Sequence, residues 1–113
     1  MLLVNENDKE YRFGDSGPKY LMRGPNVDFG IVRLKPGEGF PNHLHQVIEE
    51  DFFILEGEIE FRINGEKYAV LKKGDFIHVS PNNAHFLKNV GEVPAKAVFV
   101  KAPYDPNDKV DVD

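Results

Sequence analysis

The sequence predicts an all-β domain, a sandwich or small barrel of short strands. Three observations carry this. Apolar and polar residues alternate over short runs, with almost no stretch at helical spacing. Turn signals separate these runs at regular intervals. The 113-residue chain holds 10 Gly and 8 Pro, so few segments are long enough for an amphipathic helix.

The elements follow in order. Leu2–Val4 and Tyr11–Phe13 are short candidate strands at the start. Tyr20 and Arg23 precede the next strand and would form a lip over the barrel mouth. Phe29–Leu34 is rich in β-formers and stops at Lys35-Pro36-Gly37. Asp51–Leu55 is an apolar run ended by Glu56-Gly57. Ile59, Phe61 and Ile63 alternate with Glu58, Glu60 and Arg62, so one face is dry and one wet. Asn64-Gly65 predicts a type I′ hairpin turn, because both residues tolerate positive φ. Lys67–Leu71 is then the returning strand. Phe76–Val79, His85–Lys88 and Ala95–Val100 complete the set, with Ser80-Pro81-Asn82-Asn83 as the turn before His85. Glu58, Glu60, Arg62 and Glu66 read as a solvated face, and Lys72-Lys73 as edge charges that block strand addition. Tyr68, Phe86 and Phe99 read as core or interface aromatics.

Length and mass (12.8 kDa) fit one domain over 1–113. Residues 1–27 supply N-terminal strands and the lip, 28–101 the barrel, and 102–113 an irregular acidic tail. The net charge of −5 and the scattered Lys and Arg argue against nucleic-acid binding. No segment approaches a membrane span, and the apolar run at Met1–Val4 is too short for a signal peptide, so a cytoplasmic location is expected. Cysteine is absent. That excludes disulfides, iron–sulfur clusters, Cys-ligated zinc and thiol nucleophiles.

Metal chemistry therefore falls to nitrogen and oxygen donors, and the chain has 4 His. His43 and His45 stand one residue apart, so on an extended chain both imidazoles face the same way. Glu49 and Glu50 follow at the opening of a strand, and His85 opens a later one. Three imidazoles and one carboxylate suit Mn, Fe, Co, Ni or Zn and leave positions open for water or substrate.

The spacing around these residues resembles a known family. Gly37, five residues, His43-Leu44-His45, four residues, Glu50, six residues, Gly57 is similar to the first motif of the cupin superfamily. Gly74, five residues, Ser80-Pro81-Asn82, two residues, His85, three residues, Asn89 resembles its second motif. Ser80 and Asn82 depart from the Pro and Gly usual there. Asn82 can replace Gly because Asn tolerates the left-handed conformation. Motif 1 spans 37–57 and motif 2 spans 74–89. The resemblance implies a double-stranded β-helix, a small jelly-roll barrel. It carries over His43, His45, Glu50 and His85 as ligands of one divalent transition metal. Glu50 is preferred to Glu49 by the spacing to Gly57 and because strand neighbours face opposite ways; Phe52 and Ile54 then follow Glu50 inward.

The resemblance further implies a metal-dependent small-molecule enzyme. An oxidoreductase, a dioxygenase or a decarboxylase acting on a small acidic or polyhydroxy compound is the leading expectation. Sugar or sugar-acid isomerisation and a non-catalytic metal- or ligand-binding module are the alternatives. Glu49 and His78 are the candidate catalytic groups. His78 reads either as a half-buried, hydrogen-bonded strand residue or as a group near the ion. Arg33 could grip a substrate carboxylate as a bidentate fork, or be an exposed strand charge. Phe52–Leu55 has large side chains on both faces, which predicts that both are covered, one of them in a homodimer.

Overall fold

The computed structural model describes residues 1–112. Ten strands form two five-stranded antiparallel sheets that face each other as a jelly roll. In chain order they are β1 (Gly17–Arg23), β2 (Asp28–Leu34), β3 (Gly39–Leu44), β4 (Glu49–Glu56), β5 (Glu58–Ile63), β6 (Glu66–Lys72), β7 (Phe76–Val79), β8 (His85–Asn89), β9 (Ala95–Ala102) and β10 (Val110–Asp111). The first sheet runs β1-β2-β9-β4-β7 and the second β10-β3-β8-β5-β6.

Alternation decides which side chains fill the space between the sheets. Phe52 and Ile54 of β4, Ile59 and Phe61 of β5, and Leu87 of β8 are almost fully buried. They are the inward positions of strands whose other residues face out. The Asn64-Gly65 turn has φ of 53° and 85°, the positive values a type I′ hairpin requires. It joins β5 to β6, which is the exposed edge of the second sheet and carries Lys72. Glu60 is less solvated than the sequence suggests: it is 9% exposed and pairs with Arg62 (3.3 Å) and Lys67 (3.9 Å). Tyr68 is exposed, Phe86 half-buried and Phe99 in the core.

The N-terminal strand assignments are corrected. Leu2–Val4 forms no strand, and Tyr11–Phe13 contributes only an isolated bridge between Tyr11 and Gly14. The first strand is Gly17–Arg23, so Tyr20 and Arg23 belong to it rather than to a preceding lip. The segment before β1 is anchored through Glu6. Its carbonyl accepts from Lys19 Nζ, and its carboxylate pairs with Lys96 at 2.9 Å. The tail is irregular except for β10, which pairs with His43 and Leu44 of β3. The inner face of β4 is covered, whereas Phe53 on its outer face is 43% exposed beside Phe76 at 61%. Among the described residues, no helix is long and apolar enough to cross a membrane.

Candidate metal centre

His43, His45, Glu50 and His85 meet inside one end of the barrel, their donor atoms all within 4.8 Å of one another. Each arrives by a separate local device. His43 lies in β3 directly opposite His85 of β8, just past an irregularity in the register that begins at Phe40. Their rings are 4.3 Å apart between centroids. His45 follows the end of β3 rather than lying within it, yet its ring remains 5.2 Å from that of His43. His85 opens β8 after a turn in which Asn82 takes φ 66°, the left-handed conformation expected of it, and donates its N–H to the His45 carbonyl at 2.6 Å. Glu50 is the second residue of β4 and is 5% exposed. Glu49 beside it points to solvent.

The three imidazoles share one arrangement. Nδ1 of His43 donates to the Pro41 carbonyl (2.9 Å), that of His85 to the Asn83 carbonyl (3.0 Å), and that of His45 to the Asp108 carbonyl. A carbonyl oxygen only accepts, so each Nδ1 carries the hydrogen and each neutral ring presents a bare Nε2. Two of those Nε2 atoms face Glu50. Oε1 of Glu50 is 3.1 Å from Nε2 of His85 and 3.4 Å from Nε2 of His45. His45 Nε2 is buried without a hydrogen-bond partner. A lone pair facing a carboxylate in a dry site is repulsive unless a cation lies between them.

Electrostatics reinforce the point. Burial raises the cost of ionising Glu50, but the imidazoles of His45 and His85 beside its oxygens and the charge of Lys101 outweigh it and hold the carboxyl down at about 2. Burial and the neighbouring His85 depress His43 to about 4. His45 moves the other way. Burial disfavours its cation, yet that cation would donate from Nε2 to the Glu50 carboxylate and from Nδ1 to the Asp108 carbonyl, and these acceptors prevail and raise it.

The cluster opens into a cavity of about 120 Å³. Val32, Phe52, Leu87 and Phe99 give it apolar walls, and Arg12, Tyr20, Lys101 and Lys109 stand around the rest. Tyr20 packs edge-on against Phe99, with centroids 5.2 Å apart, and accepts a hydrogen bond from Lys101 Nζ at 2.9 Å.

Three residues singled out in the sequence lie elsewhere. Arg33 alternates with the inward-facing Val32 and Leu34, so it points away from the cavity and donates to the Asp15 carbonyl at 2.7 Å. Glu49 and His78 sit on the outer face of the first sheet. There His78 is flanked by Asp51 Oδ1 at 2.5 Å and Glu49 Oε1 at 3.3 Å. The reason is parity: Ile77 and Val79 take the inner positions of β7, as Glu50 and Phe52 do in β4. Neither candidate catalytic group reaches the cluster. Arg23 stacks its guanidinium 4.3 Å from the Tyr20 ring centroid instead of lining the cavity.

Sequence reasoning missed Asp108 and Lys101. Asp108 accepts the backbone N–H groups of Gln46, Val47 and Ile48 at 2.8, 2.8 and 2.9 Å and fixes the turn that carries His45. A lone aspartate in an acidic tail and a lone lysine at a strand end give no motif, and only their partners in space identify them.

Comparison with known proteins agrees with this geometry. A family model described as "Cupin domain" matches residues 30–101. The tetracenomycin polyketide synthase protein TcmJ of Streptomyces glaucescens is 32% identical over 68% of this chain and 51% of that one. Quercetin 2,3-dioxygenase of Bacillus subtilis is 30% identical over 74% of this chain and 26% of that one. The structure of the polyketide cyclase RemF from Streptomyces resistomycificus superposes with a TM-score of 0.85 at 16% identity, covering 100% of this chain and 86% of that one. The chain spans about half the length of the polyketide synthase protein TcmJ and of two further curated relatives it matches.

Proposed function

The chain belongs to the cupin domain family, and from that premise we propose that it is a metal-dependent small-molecule enzyme. His43, His45, Glu50 and His85 hold one divalent first-row ion, and the substrate is a small acidic or polyhydroxy compound that reaches it through the cavity. One observation carries the reading: three imidazoles whose Nδ1 atoms are each tied to a backbone carbonyl, so that every Nε2 is left bare, those of the buried His45 and His85 facing Glu50.

When bound, such an ion supplies Lewis acidity toward oxygen donors and, where it is redox-active, electron transfer. The chain's own residues do the rest. Glu50 stays ionised and offsets part of the charge. Carbonyl contacts at Nδ1 lock the ring orientations. Phe52, Leu87 and Phe99 keep bulk water from the inner wall. Four protein ligands would leave such an ion able to take further oxygen donors from the cavity.

Oxidation by dioxygen, or decarboxylation, is the leading chemistry. The similarity to quercetin 2,3-dioxygenase supports it. A non-redox reaction, isomerisation or ring closure, is the second reading. The 32% identity to a polyketide synthase protein favours it.

Protein purified without a histidine tag should carry about one Mn, Fe, Co, Ni or Zn per chain by elemental analysis. The double variant His43→Ala/His85→Ala should carry none. Metal-free wild-type protein that cannot be reloaded would end the proposal. Occupancy should fall with pH in two stages. His45, with its raised pKa, takes up the first competing proton, and His43 joins near pH 4. An oxygen electrode identifies oxidation by dioxygen, which alone consumes dioxygen in proportion to product, and release of carbon dioxide without oxygen uptake identifies decarboxylation.

A further inference from the structure

Lys101 is the cation that the cavity itself supplies. It lies on β9 opposite Glu50 of β4, and opposite Asp28 of β2 on the other side. Directly opposed residues in an antiparallel pair share a face. Lys101 therefore projects inward with Glu50, beside the metal ligands, and lines the cavity. Its Nζ donates to Tyr20 Oη at 2.9 Å. Among the described residues it makes no ion pair. The two carboxylates nearest in the register are already engaged. Glu50 faces the imidazoles of His45 and His85, and Asp28 Oδ1 accepts the Gly24 N–H at 3.1 Å.

An ammonium group against the apolar walls of Phe99 and Phe52 is stabilised by an anion that enters with it. The Tyr20 hydroxyl uses a lone pair on Lys101, which leaves its own hydrogen to donate. Lysine keeps two further N–H groups for the same ligand. Arg12 and Lys109 add positive charge to the cavity wall, against Glu50 as its one carboxylate among the described residues. The cavity, at about 120 Å³, is well below the roughly 300–1,000 Å³ of drug-sized sites.

Resting on the metal-site reading above, we propose that Lys101 and Tyr20 form an anion subsite beside the metal ligands, and that the small compound taken there carries a carboxylate. This narrows the substrate class from acidic or polyhydroxy to acidic. It also assigns to β9 and β1 the orienting role that the sequence suggested for Arg33.

The test titrates glycolate and its neutral counterpart glycolamide into zinc-loaded and metal-free protein, followed by NMR at the Lys101 and Tyr20 backbone amides. Zinc content is measured on each sample first. Wild-type protein should prefer glycolate by about tenfold or more, with shifts at both amides. Lys101→Met should lose that preference while keeping its zinc, Lys101→Arg should keep most of it, and Tyr20→Phe should lose part. A Lys101→Met protein that still prefers glycolate tenfold overturns the subsite, and so does glycolate binding that leaves both amides unmoved. If Lys101→Met does not fold, Lys101→Arg and Tyr20→Phe decide by the same criterion. Failure to bind zinc defeats the metal reading alone. The metal-free titration then decides the subsite independently.

Discussion

His78 shows how one step of parity separates a candidate catalytic group from a surface pair. It was legible as a strand residue on the side of Phe76. The sequence does not reveal which side of β7 faces the barrel; that follows from the pairing of Val79 with Glu50 and of His78 with Asp51. Outside, the Asp51 hydrogen bond raises its pKa, with Glu49 adding to the effect. A raised folded-state pKa stabilises below the unfolded imidazole value, and the contribution is lost as pH rises through the folded value. His78→Gln should therefore cost stability at pH 5.5 and nothing at pH 9. The side chains are 43% and 38% exposed, so solvent screening limits the effect to about 0.2–1 kcal/mol. Urea denaturation at the two pH values measures it, and an equal loss at both would refute the pairing. The cluster of His43, His45, Glu50 and His85, in contrast, was legible residue by residue, because the motif spacing names each one and strand alternation separates Glu50 from Glu49. Lys101 was not, since a cation at the end of Ala95–Val100 reads as an ordinary surface charge until Tyr20 is placed beside it.

Among the elements, the strands with clean alternation were read nearly to their ends, whereas β1 and β10 at the margins were not, and β3 was read only as extended chain around His43. β1 begins Gly17-Pro18, which reads as a turn. Pro is tolerated there because β1 is the edge of its sheet, where no ladder partner needs every N–H. The tail carries no periodicity because its contacts are with residues some sixty positions away. It nonetheless straps the metal end of the barrel. β10 pairs with β3 at His43 and Leu44, the Asp108 carbonyl holds His45 Nδ1, and the Asp108 carboxylate holds the turn at Gln46–Ile48. Asp108→Ala leaves three backbone donors without their acceptor, one of them buried. It should cost about 1–3 kcal/mol of stability and weaken metal binding by about 10–100-fold. Asp108→Asn retains one acceptor oxygen and should fall between. Thermal denaturation and a chelator competition, run on the same samples, check both effects. Unchanged metal affinity in Asp108→Ala would mean that the strap supports the fold without positioning His45.

For the whole molecule, the question is what lies on the outer face of the first sheet. Part of that face is covered from within the chain: the segment before β1, held by Lys19 and Lys96, lies on the β1-β2-β9 side, where Ile31 is 5% exposed. Among the described residues, nothing reaches the β4-β7 side. Phe53 and Phe76 stand directly opposite each other there, Val98 is the β9 neighbour of Phe53, and the two phenylalanines remain 43% and 61% exposed. Paired aromatics on an open sheet face are a costly surface to leave in water, at about 25 cal/mol per Å² of apolar area. A second copy meeting this face is the occupant we propose, because an isologous contact covers two such patches at once. Light scattering at micromolar concentration should then give the mass of two chains of 12.8 kDa. Phe53→Asp/Phe76→Asp should give the mass of one chain and leave metal binding intact, because both positions lie on the far side of the sheet from the cavity. A wild-type monomer at that concentration would show that the patch stays in water, and the homodimer would have to be abandoned.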